Sequence, residues 1–143
     1  MPRRRTLVPG LALLAGSALP LVAGAQGKPT VVVRQLVHGV GTTEADAERA
    51  TRALAAGFAA DSAVQAVQAP TTPARFVVSG VLMVMGGTRL DWRLVDTANG
   101  SVVANGVRTL PSSELTEATF RPLAGEIAGA AARTAAATTP KKP

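Results

Sequence analysis

From Arg75 to Leu110 apolar runs alternate with turn residues in a way that predicts three consecutive β-strands. Arg75 to Met85 is almost continuously apolar and β-branched, the composition of a strand buried on both faces. Gly86-Gly87 then reads as a turn. Thr88 to Asp96 changes register: Leu90, Trp92 and Leu94 occupy one side of a pleat, and Arg89, Asp91 and Arg93 the other. Asp96-Thr97-Ala98-Asn99-Gly100 carries the residues of a tight turn, and a third strand is predicted over Ser101 to Leu110.

The flanking segments are placed by how they would cover this meander. Val31 to Val37 reads as a strand and His38-Gly39-Val40-Gly41 as a loop. Thr43-Glu44-Ala45-Asp46 is a helix start, with a capping hydroxyl and an acid three residues on. Ala47, Ala50, Leu54 and Phe58 then recur at helical spacing along one face. Ala63 to Ala69 reads as a second, weaker strand, so strand, helix and strand predict a parallel pair joined by a crossover. Pro70 to Pro73 is a stiff connector. After Leu110 a helical segment is expected, with a first turn around Glu114 to Ala118 and a main run starting near Thr119, which places Pro122 in the first turn of that run and lines Phe120, Leu123, Ile127 and Ala131 along one face. The element order β-α-β-β-β-β-α predicts an α+β two-layer sandwich: a mixed sheet of about five strands, with two helices on the Trp92 face.

The N-terminal end has a different character. Arg3-Arg4-Arg5, an apolar stretch from Leu7 to Val22 and the small residues Ala23-Gly24-Ala25 form the three parts of a secretory signal cleaved after Ala25. Residues 26–137 then make a single domain and residues 138–143 a disordered basic tail. Arg4-Arg5 followed by Thr6-Leu7 resembles a twin-arginine signal, but no cofactor motif calls for export in the folded state, which favours the general route. Either route predicts a periplasmic protein.

Charge adds little once its position is considered. The formal net charge is +6, but Arg3, Arg4, Arg5, Lys28, Lys141 and Lys142 lie at the two ends. Without them, nine basic groups face nine acidic ones. Aromatic and basic residues are not interleaved as a nucleic-acid platform requires, which argues against such binding. The chain has no cysteine, so disulfides, thiolate metal sites and a lipid-modified N-terminal cysteine are excluded.

Candidate chemistry is sparse. His38 is the only histidine, and no nucleophile or carboxylate accompanies it in a recognisable constellation. Gly39-Val40-Gly41 precedes a helix, but Glu44 stands where a dinucleotide loop needs its third glycine, and no Walker lysine follows. Ser79-Gly80 sits mid-strand, without the strand-to-helix context of a nucleophile elbow. No catalytic residue, cofactor or metal site is predicted. The group of interest is Arg89, Asp91 and Arg93. It reads as a solvated outer face with cross-strand ion pairs or, functionally, as a docking stripe whose arginines hold a partner's carboxylates.

The meander also resembles one bacterial envelope superfamily. The features that carry the resemblance are Phe76-Val77-Val78-Ser79-Gly80, the long apolar strand, Trp92-Arg93-Leu94-Val95-Asp96 and the turn closing in Asn99-Gly100. The superfamily includes TolB-type amino-terminal domains, lipoprotein activators of penicillin-binding proteins, the curli-secretion channel protein and a flagellar outer-membrane lipoprotein. In this chain Ala74-Arg75 replaces the acidic residue usual before that strand, and the lipid-bearing cysteine of several members is missing. The resemblance spans Thr30 to Arg133 and implies binding and assembly with no catalysis. The expected protein is a periplasmic interaction module that binds another envelope protein and meets the membrane only through that partner. The alternatives are a homo-oligomer forming a secretion or export ring and, from another class, a small hydrolase.

Overall fold

Thr88 to Asp96 alternates in space as it does in sequence, with Leu90, Trp92 and Leu94 buried and Asp91 and Arg93 exposed. The structure is a computed structural model describing residues 27–68 and 73–138. Its elements are β1 (Thr30–Val33), β2 (Val37–His38), α1 (Glu44–Ala59), β3 (Gln65–Ala66), β4 (Phe76–Val84), β5 (Thr88–Asp96), β6 (Ser101–Thr109) and α2 (Glu117–Thr138). They form one mixed sheet in the order β3-β1-β4-β5-β6, and β2 also lies beside β4. The parallel pair expected on either side of the first helix is β1 with β3, and β4, β5 and β6 form the antiparallel meander.

Both helices cover the same side of the sheet. Leu54 and Phe58 of α1 and Phe120, Leu123 and Ile127 of α2 share one core with Val31, Val78, Leu82, Leu90, Trp92 and Leu94. Trp92 is only 4% exposed, and its ladder neighbours on either side are Gly80 and Gly106. Gly106 makes room for the indole, and Gly80 for the backbone of β5. A Cβ at Gly106 would lie 3.3–3.4 Å from the ring, and one at Gly80 would lie 2.5 Å from the Asp91 carbonyl oxygen, where only backbone could yield. The helices approach closely for a similar reason. A Cβ on Gly57 of α1 would stand 2.9 Å from the Ala124 Cβ of α2.

Helix α1 begins where the sequence places it. The Thr43 hydroxyl accepts from the Asp46 amide at 3.1 Å, and the Asp46 carboxylate accepts from the Thr43 amide at 2.9 Å. This reciprocal box satisfies two amides that would otherwise lack intrahelical partners.

Four expectations need correction. The strand expected over Val31 to Val37 is two pieces, which accounts for a sixth strand. From Val33 to Val37 the chain takes four steps while its partner takes three, from Val78 to Val81. Arg34 and Gln35 are both exposed, and Leu36 turns inward with its amide donating to the Thr51 hydroxyl at 2.9 Å. The strand expected over Ala63 to Ala69 shrinks to Gln65–Ala66, because alanine and glutamine have little side chain to gain from a pleated surface. Its Ala69 end lies outside the described residues. Helix α2 starts at Glu117 and not near Thr119, so Pro122 falls in the second turn. The Phe120 amide already bonds the Thr116 carbonyl at 3.2 Å, ahead of the proline. Finally, β4 is covered on one face only: Val77, Ser79, Val81 and Met83 are half-buried on the side away from the helices. Its apolar run reflects a central position in the sheet, with no second helical layer.

The leader expected over Met1 to Ala25, the connector residues 70–72 and tail residues 139–143 lie outside the described residues, while Thr138 is the last residue of α2. Among the described residues no helix is long and apolar enough to cross a membrane.

Because Trp92 is buried in the core with its ring against Gly106, Trp92→Ala should lower unfolding free energy by about 3–5 kcal/mol. Chemical denaturation followed by circular dichroism measures this directly. Unchanged stability would place the indole outside the core.

Candidate functional site

The pleat of β5 delivers Arg89, Asp91 and Arg93 to the sheet face that no helix covers. Their ladder partners are all uncharged. Arg89 lies opposite Met83 and Thr109, Asp91 opposite Val81 and Val107, and Arg93 opposite Ser79 and Asn105. The cross-strand ion pairs expected for a merely solvated face are therefore absent among the described residues, and none of the three enters an ion pair there. Apolar surface lies around them: Val37 is 58% exposed, Val102 47% and Val107 54%. A shallow groove of about 200 Å³ runs between Val37, Ser79, Val81, Asp91 and Arg93. Two guanidinium groups, one carboxylate and several bare valines thus share one surface. Each arginine keeps its planar fork free for a carboxylate from outside the chain.

The other residues singled out from sequence have structural roles or stand alone. His38 is exposed on β2, paired in register with Leu82. Gly39 and Gly41 lie against β4, where the Gly39 amide donates to the Leu82 carbonyl at 2.8 Å and Gly41 takes a positive φ of 75°. Ser79 faces the open side in mid-strand, and among the described residues no group of three His, Asp or Glu side chains could hold a metal ion.

Sequence reading missed the most organised polar cluster. Arg75, at the start of β4, holds Asp96, at the end of β5, through Nε–Oδ1 at 2.7 Å and Nη2–Oδ2 at 2.9 Å. Asp96 is 1% exposed. Its carboxylate also accepts from the Ala98 amide at 3.0 Å, which shapes the turn into β6. The Arg75 amide donates to the Thr30 hydroxyl at 2.8 Å, and its Nη2 donates to the Thr138 hydroxyl at 3.1 Å. One arginine therefore gathers the start of β1, the β5–β6 turn and the end of α2. Hydrogen bonding from Arg75 holds the Asp96 carboxyl below the usual carboxylate range, outweighing the opposing effect of burial. The same bond raises the Arg75 guanidinium. Nothing local in the sequence pairs Arg75 with a residue 21 positions away.

With this geometry in view, known proteins of the same shape can be compared. No protein-family model matches the chain, and no curated protein matches it either. Solved structures do. A point variant of PelC from Paraburkholderia phytofirmans, a dodecamer, aligns with a TM-score of 0.50 and 24% identity, over 82% of this chain and 94% of that one. Protein XCC0632 from Xanthomonas campestris aligns with a TM-score of 0.51 and 11% identity, over 80% and 90%. TolB from Acinetobacter baumannii aligns with a TM-score of 0.50 and 13% identity, over 80% of this chain but 29% of TolB. The chain therefore shares its fold with these proteins, TolB among them.

The Arg75–Asp96 pair makes stability depend on pH with a definite sign. Asp96 has a lower pKa folded than unfolded. Its contribution is fully present above the unfolded value of about 4 and is lost as pH falls through the folded value. Asp96→Asn should cost about 1–3 kcal/mol at pH 7. Measured by denaturant unfolding, the gap between the two proteins should close as pH drops below about 4. A gap that stays constant down to acid pH would show that the carboxylate's charge contributes nothing.

Proposed function

We propose that the protein is a non-catalytic interaction module of the bacterial cell envelope, exported to the periplasm, which docks another envelope protein on the open face of its sheet. The observation that carries this reading is the asymmetry of the sandwich. Two helices cover one face, and the other presents Arg89, Asp91 and Arg93 among exposed valines with no ion-pair partner among the described residues. A partner that fits offers carboxylates to the two guanidinium forks and apolar side chains to Val37, Val102 and Val107. Apolar burial supplies attraction, and the charge pattern supplies register and selectivity. The envelope assignment is supported by the three-part leader at Met1 to Ala25 and by the fold shared with TolB and PelC.

A second reading has one observation in its favour: a protein of this fold, over 94% of its own chain, is a dodecamer. In that reading the open face or the β6 edge meets another copy, and the protein is a subunit of a ring-forming secretion or export assembly. Light scattering on a sizing column separates the two. A closed oligomer that persists at low micromolar concentration selects the ring, and a monomer selects docking to a different protein.

Replacing both Arg89 and Arg93 by alanine should leave the unfolding midpoint essentially unchanged, because surface substitutions of this kind stay within about 0.5 kcal/mol. It should weaken capture of the cross-linked envelope partner by roughly tenfold or more. Strong destabilisation with undiminished capture would overturn the proposed docking face.

A further inference from the structure

The pole of the sandwich farthest from the described ends carries a cavity that the open-face reading does not use. Both ends meet at Arg75, through Thr30 and Thr138, beside the start of β4. The cavity lies at the other end of β4, roughly 27 Å along a nine-residue strand, among the start of α1, the β4–β5 hairpin and residues 113–116. Its volume is about 440 Å³, within the range of roughly 300–1,000 Å³ typical of ligand pockets.

Three features define what it would take. Its wall is apolar, formed by Leu82, Val84 and the half-buried Leu115. Apolar surface continues outward from it, since Val84 is 41% exposed, its amide bonds the carbonyl of exposed Val40, and neighbouring Met85 is 55% exposed. Thr88 lines the same cavity, is only 8% exposed, and its hydroxyl has no hydrogen-bond partner among the described residues. A buried hydroxyl is rarely left without a partner, so this one marks a place for an outside donor or acceptor. On the solvent side stand Asp46, Arg49 and Glu114. Asp46 pairs with Arg49 at 2.5 Å, whereas the Glu114 carboxylate has no partner among the described residues. The solvent side thus has a surplus of one negative charge.

We infer that this cavity binds a short polypeptide segment of a partner that carries an apolar side chain next to a basic residue. The apolar side chain packs against Leu82, Val84 and Leu115, a peptide group bonds the Thr88 hydroxyl, and the basic group meets Glu114. The site is separate from the Arg89–Arg93 face and stands or falls independently of it.

The probe is acetyl-Leu-Lys-amide, with acetyl-Leu-Glu-amide as its charge-reversed counterpart, titrated into the full isotope-labelled protein by NMR. Saturable amide shifts at Thr88, Glu114 and Leu115 are expected, with the lysine probe binding at least about threefold more tightly than the glutamate probe. Glu114→Gln, a change at an exposed residue, should bring the two probes to equal affinity. Leu115→Trp fills the cavity and should abolish both sets of shifts; if it fails to fold, Glu114→Gln alone decides the charge preference. Absence of shifts at Thr88 and Leu115, equal affinity for both probes in the unaltered protein, or undiminished binding by folded Leu115→Trp would each overturn the proposal.

Discussion

Two helices can cover only one face of a sheet of this width, and almost everything about the protein follows from which face that is. The decision rests on β5, where a two-residue period sends Leu90, Trp92 and Leu94 to one side and Arg89, Asp91 and Arg93 to the other. Slipping the register by one residue would bury two guanidinium groups and a carboxylate under α1 and α2, at a desolvation cost no local contact could offset. The indole adds a steric condition. Gly106 stands beside it because a side chain there would crowd the ring, and Gly80 stands on the other side because a side chain there would strike the β5 backbone.

The two poles of the sandwich are built differently. At one, the Arg75–Asp96 pair closes the ends of β4 and β5, shapes the β5–β6 turn and holds both described ends of the chain through threonine hydroxyls. Its polar groups are nearly all satisfied, so it is a clasp and offers little to a partner. At the other pole, helix start, hairpin and loop meet less completely. They leave a cavity, a buried hydroxyl and exposed Val40 and Met85. Recognition surfaces are expected where packing is left incomplete, and here that is the hairpin pole and the uncovered sheet face.

Sequence and structure part company in an instructive place. The capping box of α1, the inward positions of both helices and the whole of β5 were legible, because each depends on residues within one or two turns or pleats of one another. The break after Val33 was not legible, since Val31, Val32 and Val33 are all buried and set up no two-residue alternation for Arg34-Gln35 to violate. The start of α2 was not legible either, because Pro122 is tolerated in the second turn here, after the Phe120 amide has already bonded the Thr116 carbonyl.

The sequence by itself determined the order of elements, the side of the pleat that bears charge and the single core beneath Trp92, since these are set by local periodicity and backbone stereochemistry. Only the tertiary structure decided that Arg75 would clasp Asp96, that Arg89, Asp91 and Arg93 would face uncharged ladder neighbours, and that Thr88 would lie buried beside Leu115. Those relations join residues tens of positions apart, and their distances are settled by how strands pair and helices seat. No pattern confined to neighbouring residues contains that information.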